Sequence, residues 1–319
     1  MQKSIVLIIR DGWGINPNPD HNAVASAQTP NTDLLLKKYP NTILEASGTS
    51  VGLPEGYQGS SEVGHLNIGA GRIVEQEITK ITNNIQDGTF FNSPVFRKAI
   101  KNVIDNNSSL HLMGLVQDEG VHAHQDHLFA IMKHAKEQGV KQLYIHFFAD
   151  GRDSAPKSTR NYLRTLKEKI DEYGIGEIAT FMGRYYAMDR GKEWRLTTTA
   201  YDAITKGDGK KIDSEDRLED TIQEIYKTKT PNGKDMFDEY IPPLIIGGYE
   251  GVKDGDSVIH FNYRQDRAIQ LTMAFVEDDY PGKRWKKFDI VYCGLTRYYD
   301  TFHYNILEPM DDSGGMDNL

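Results

Sequence analysis

Gln142-Leu143-Tyr144-Ile145-His146-Phe147-Phe148-Ala149-Asp150-Gly151-Arg152-Asp153 is the stretch on which the fold turns. Residues 142–148 are short, apolar and rich in β-branched and aromatic side chains, the pattern of a strand buried on both faces. A glycine turn then delivers a cation and a carboxylate. The same pattern recurs outward, at 110–116, 177–182, 257–261 and 288–293, and at 3–9 near the start. Helical periodicity falls between the strands, at 126–137, 158–173, 194–204, 218–227 and 267–276, with one earlier helix near 32–38. Strand and helix in alternation predict an α/β fold, a three-layer arrangement with mainly parallel sheets covered on both faces.

Ligands of open α/β sheets sit outside the carboxyl ends of the strands. His122 follows 110–116; Arg152 and Asp153 follow 142–148. Arg184 follows 177–182 with Arg190 six residues on, and Arg264 follows 257–261 with Arg267 about one turn later. In a parallel sheet one His, one Asp and five Arg therefore line a single crevice. Guanidinium forks bind phosphate and carboxylate bidentately, so the pattern points to a small polyanion. A solvated face explains any one of these arginines, but not all four strand ends. His122, His124 and His127 also have a spacing that invites zinc, yet no nearby carboxylate completes a ligand set.

Two further segments carry chemistry. In Ile8-Ile9-Arg10-Asp11-Gly12-Trp13-Gly14 the carboxylate of Asp11 follows an apolar run. It either holds a hard or borderline cation or caps the next turn. In Gly59-Ser60-Ser61-Glu62-Val63-Gly64-His65 a serine opens a helix beside backbone N–H groups. Ser61 is either an N-cap or a nucleophile whose hydroxyl a metal would acidify. Residues 1 to about 75 contain one candidate strand, which needs a sheet from elsewhere to pair its edges.

The 319 residues suggest about two domains. A formal net charge of −9 argues against long-range attraction to nucleic acid or anionic membrane. The apolar run at 5–9 is far below the ~20 residues that span a bilayer, and no cleavage-site pattern follows it. Cys293 is the single cysteine, so an internal disulfide framework and a thiolate zinc site are excluded. A cytoplasmic location is the expectation.

At this point the chain resembles the cofactor-independent (2,3-bisphosphoglycerate-independent) phosphoglycerate mutases. The shared text is Arg10-Asp11-Gly12-Trp13-Gly14, Ala46-Ser47-Gly48 through Val51-Gly52-Leu53-Pro54, and Ser61-Glu62-Val63-Gly64-His65. It continues with Gly120-Val121-His122-Ala123-His124, Asp150-Gly151-Arg152-Asp153, and Gly183-Arg184-Tyr185-Tyr186-Ala187-Met188-Asp189-Arg190. Phe261-Asn262-Tyr263-Arg264 leading to Asp266-Arg267-Ala268 completes it.

The resemblance implies an enzyme of the alkaline phosphatase superfamily with a discontinuous phosphatase-like domain and a phosphotransferase domain inserted in it. Residues 1–76 would be the N-terminal part of the first, 77–308 the inserted domain, and 309–319 the start of the second part of the first. It implies interconversion of 3-phosphoglycerate and 2-phosphoglycerate through a phosphoserine on Ser61, with two manganese ions. Asp11 and Ser61 would be metal ligands. His122, Arg152, Asp153, Arg184, Arg190, Arg264 and Arg267 would hold substrate, Asp153 accepting a proton from a glycerate hydroxyl. Hinges would lie around 75–81 and 307–312, and the complete enzyme would be monomeric.

Two departures from the family pattern stand out. Ser60 occupies a place where the family has Asn, a change expected to tune the site without abolishing it. Family members also continue past Leu319 with further Asp, His and Lys site residues. The expectation is therefore a chain inactive by itself, with an exposed apolar face and a tendency to self-associate. Two alternatives accompany it: a non-catalytic phosphoglycerate-binding module, or one subunit of a split mutase completed by a second chain. A phosphatase, sulfatase or phosphopentomutase of the same superfamily explains the central arginines less well.

Overall fold

The computed structural model describes residues 4–299. They fall into two compact units, 4–76 and 77–299.

In the second unit seven strands form one sheet. They are β1 (Ser109–Leu115), β2 (Gln142–Ala149), β3 (Glu177–Gly183), β4 (Lys210–Ile212), β5 (Leu244–Ile246), β6 (Ser257–His260) and β7 (Val291–Gly294). Their order is β4-β5-β3-β2-β1-β6-β7. Every neighbouring pair is parallel except β3 with β5. In β1 and β2 nearly every residue is buried. Since alternate residues of a strand face opposite sides, both faces of the sheet are covered. The helices Gln125–Glu137, Thr159–Tyr173, Trp194–Lys206, Leu218–Ile225 and Ile269–Val276 lie where the periodicity of apolar residues placed them.

Three features depart from the sequence reading. The short strands β4 and β5 were not legible, because three residues show no period. The helices Glu77–Asp87 and Pro94–Asn106 were also missed. Each has a strong apolar face, with Ile78 and Ile81 in the first and Phe96, Ala99, Ile100 and Val103 in the second buried. The last strand is shorter than 288–293, although Phe288 and Ile290 ahead of it are buried.

In the first unit the helices are Ala23–Ser26, Pro30–Lys38 and Ser61–Ala70. Its buried residues are Val51, Gly52 and Leu53. Gly52 has φ +81°, and a Cβ there would collide with the Val74 carbonyl, while its own carbonyl accepts from Gln76 N at 2.9 Å. The strand expected at 3–9 is corrected: residues 4–9 form none, and Ile5 is 94% exposed. Residues 4–76 contain no second strand, and a lone strand has nothing to satisfy its N–H and C=O groups. Asp11 therefore does not sit at the end of a buried strand. Residue 3, the second expected hinge at 307–312, and the 309–319 segment lie outside the described residues.

Candidate active site

The loops that leave the carboxyl ends of β1, β2, β3 and β6 converge. Asp150, the first residue after β2, shapes its own loop: its carboxylate accepts from the N–H groups of Arg152, Asp153 and Ser154 at 3.3, 3.2 and 2.8 Å. This is the local turn chemistry that Asp favours. Gly151, at φ +70°, permits the reversal, and a Cβ on it would press on Asp238. The β1 loop is tied to the β6 loop where the His122 carbonyl accepts from Tyr263 N at 2.8 Å.

Arg184 opens the turn after β3 and is buried, its side chain 1% exposed. Its Nη1 donates to Asp150 Oδ1 at 2.5 Å and to Asp153 Oδ2 at 2.6 Å. A buried cation of this kind is tolerated only when paired and hydrogen-bonded. On the other side Asp266 receives Arg190 Nη1 at 2.6 Å and stands 3.3 Å from Arg264 Nε. Arg267 donates to the Met188 carbonyl at 3.1 Å. Its pKa is lowered by burial and by the neighbouring charges of Arg184, Arg190 and Arg152. Arg152 lies at the rim, 3.4 Å from Glu239 Oε1.

His122 sits among these groups, with Nε2 3.6 Å from Asp153 Oδ2 and Nδ1 3.7 Å from Asp266 Oδ1. Both separations exceed hydrogen-bond range, so neither carboxylate holds a proton on the ring. Burial, then the charges of Arg184, Arg264, Arg267 and Arg190, press its pKa down to about 2. His122 is thus a neutral imidazole inside a ring of guanidiniums. Its Nδ1, Asp266 Oδ1 and Arg184 Nε are buried without a hydrogen-bond partner. Buried polar atoms left this way mark a place where a polar ligand completes the network. A ligand with several anionic oxygens suits five guanidiniums, and a hydroxyl suits a neutral imidazole beside a carboxylate.

Asp11 and Ser61 lie together in the other unit. Arg10 to Trp13 form a turn closed by Trp13 N donating to the Arg10 carbonyl at 3.1 Å, with Gly12 at φ +75° in its third place. Ser60, not Ser61, is the N-cap of helix Ser61–Ala70, its Oγ accepting from Val63 N at 3.3 Å. That leaves the Ser61 hydroxyl available for other work. It donates to Asp11 Oδ2 at 2.6 Å and stands 3.4 Å from His65 Nδ1.

As a metal centre this pair is incomplete. It supplies two oxygen donors where catalytic metals take about three ligands from protein. Among the described residues no group of three or more His, Cys, Asp or Glu side chains is placed to hold a cation. The residues present do not fit a metal centre by themselves. The three spaced histidines diverge: His122 joins the arginines, His124 Nδ1 accepts from Asp126 N, and His127 Nε2 meets Thr82 Oγ1.

The structure thus gathers His122, Asp153, Arg184, Arg190, Arg264 and Arg267, sets Arg152 at their rim, and pairs Asp11 with Ser61. Sequence reasoning missed Asp150, Asp266 and Glu239. Asp150 and Asp266 stood inside the motifs already quoted and could have been read as the partners that so many cations require. Glu239 arrives from a loop distant in sequence, and nothing there announces it.

Fold and site together describe an α/β chain with arginines, a histidine and carboxylates gathered at the sheet's carboxyl edge. Residues 81–300 match the family described as BPG-independent PGAM N-terminus. The chain belongs to that family. A 2,3-bisphosphoglycerate-independent phosphoglycerate mutase of Clostridium perfringens (strain SM101 / Type A) is 46% identical over 304 residues, covering 94% of this chain and 58% of the relative. The enzyme of the same name from Acetivibrio thermocellus is 46% identical over 306 residues, with the same coverage of 94% and 58%. A crystal structure of Leishmania mexicana phosphoglycerate mutase at low cobalt concentration superposes with a TM-score of 0.78 at 30% identity, covering 90% of this chain and 54% of that one. The chain spans just over half the length of these relatives.

Proposed function

We propose that this chain carries the substrate-holding and nucleophile-bearing parts of a mutase that interconverts 3-phosphoglycerate and 2-phosphoglycerate without a bisphosphoglycerate cofactor. The observation that carries the reading is the convergence of buried Arg184 and the more open Arg190, Arg264 and Arg267 about His122, whose ring lies 3.6 Å from Asp153 and 3.7 Å from Asp266. In this reading Ser61 Oγ attacks the phosphorus, forming a phosphoserine as the bond from phosphorus to the glycerate oxygen breaks. The proton that Ser61 loses is the one the glycerate oxygen gains as it leaves, so the transfer balances. The glycerate stays held through its carboxylate by guanidiniums, and Asp153 accepts a proton from the hydroxyl that takes the phosphoryl group back. Fixed cations around a transferring phosphoryl group are what such a transition state requires.

The domain reading belongs to the same proposal: 1–76 and 309–319 as parts of a phosphatase-like domain, 77–308 as the inserted phosphotransferase domain. So do a cytoplasmic location and manganese, toward which Asp11 and Ser61 would be two of the donors. Among the described residues no helix is long and apolar enough to cross a membrane. Because the described residues offer two donors and no fuller ligand set, substrate binding is the property to test on this chain by itself. The test is calorimetric titration of 3-phosphoglycerate into the chain. Wild type and Ser61→Ala should bind alike, and Arg267→Ala should bind at least about tenfold more weakly. Equal affinity for Arg267→Ala would overturn the assignment of the cradle.

A further inference from the structure

Away from the arginine cradle, a cavity of about 580 Å³ opens beside helix Trp194–Lys206, within the size range of small-molecule sites. Its wall is apolar where Trp194, Pro242 and Pro243 line it. The Trp194 ring is fixed by edge-on packing against Tyr280, centroids 5.6 Å apart, and by the Tyr280 hydroxyl donating to the Trp194 carbonyl at 3.3 Å. Rigid flat walls of this kind accept a planar ring.

The polar lining is uneven. Asp202 gives Oδ2 to Lys206 Nζ at 3.0 Å, while its Oδ1 is buried without a hydrogen-bond partner. Lys206 also reaches Asp208 Oδ2 at 3.4 Å, so one lysine serves both acidic side chains of the lining. The exposed Arg195, Lys210 and Lys283 complete the rim, and their charged ends form no ion pair with any described residue. In a chain of net charge −9, three such cations around one cavity mark a local preference for anions. The ligand this lining fits has a flat ring, an N–H donor for Asp202 Oδ1 and an anionic tail for the rim.

We propose that the cavity binds a purine nucleotide: the base against Trp194 and the prolines, its amino group toward Asp202, and its phosphates among Arg195, Lys210 and Lys283. The site is separate from the arginine cradle and does not depend on the function proposed for it.

Titration of the full chain with ADP, followed by calorimetry and tryptophan fluorescence, tests this. ADP should bind, and the double variant Lys210→Glu/Lys283→Glu should bind it at least about tenfold more weakly, with unchanged circular dichroism. Arg267→Ala should bind ADP as wild type does, which separates this cavity from the cradle. Adenosine and pyrophosphate should each bind at least about tenfold more weakly than ADP, since each offers only part of the ligand. Trp194→Phe should lose the fluorescence change while retaining calorimetric binding. No binding of ADP at millimolar concentration, binding unaffected by the double charge reversal, or pyrophosphate binding as tight as ADP would each overturn the proposal.

Discussion

Arg184 has a side chain 1% exposed and two carboxylate oxygens within 2.6 Å, so among the described residues its charge is balanced by Asp150 and Asp153. Removing it leaves Asp150 buried and uncompensated. Arg184→Ala is expected to lower unfolding free energy by ~3–5 kcal/mol, the usual consequence of breaking a buried ion pair. Urea unfolding at neutral pH measures this, and a loss under about 1 kcal/mol would mean the pair is far better solvated than its burial implies. At this scale the sequence disclosed the cations more readily than their partners. Arginines after four strands formed a pattern, whereas Asp150 and Asp266 read as ordinary loop carboxylates until the cradle was assembled around them. The Ser60 and Ser61 pair shows the opposite case. The sequence left Ser61 open between cap and nucleophile, and the cap proved to be its neighbour.

Among the elements, β3 and the loop beside it set the position of the cradle. Gly183 ends β3, donates its N–H to the Ile241 carbonyl at 2.8 Å, and lies so close to Glu239 that a Cβ would collide with that residue's carbonyl. Gly183→Ala must push apart the turn bearing Arg184 and the loop bearing Glu239. It is expected to destabilise the chain by ~1–3 kcal/mol, as overpacking does, and to weaken anion binding as well. Thermal unfolding and a 3-phosphoglycerate titration check both, and a variant identical to wild type in each would show the loop to be loosely held. The long buried strands were legible because a continuous apolar run ending at a glycine or a charge has few other readings. β4 and β5 were not, because a strand of three residues is defined by its neighbours in the sheet. The strand expected at 3–9 failed for the same reason: its sequence is strand-like, but pairing is a property of two segments.

For the whole molecule, burial is unequally shared. Residues 4–76 bury Val51, Gly52 and Leu53, whereas nearly the whole apolar core belongs to 77–299. Segments with so few buried contacts open locally at small free-energy cost. Limited proteolysis should therefore cut first within 4–76 and leave a resistant fragment beginning near Glu77. Equal resistance of both units would contradict this.

The histidines add a pH dependence. Burial lowers His127 and His260 to about 3, and burial together with the arginine charges lowers His122 to about 2, from an ordinary 6.5. The folded chain keeps these rings neutral, while the unfolded chain protonates them below about pH 6.5. Their contribution is fully present above that value and is lost as pH falls toward 3. The urea midpoint should accordingly be lower at pH 5 than at pH 7, and an unchanged midpoint would mean that these rings protonate in the folded state.

The most direct measurement is a crystal structure of the chain with 3-phosphoglycerate. The cradle reading predicts the ligand's anionic oxygens on Arg184, Arg264 and Arg267, with its hydroxyl beside Asp153 Oδ2 and His122 Nε2. Ligand bound elsewhere, or none at saturating concentration, would contradict it.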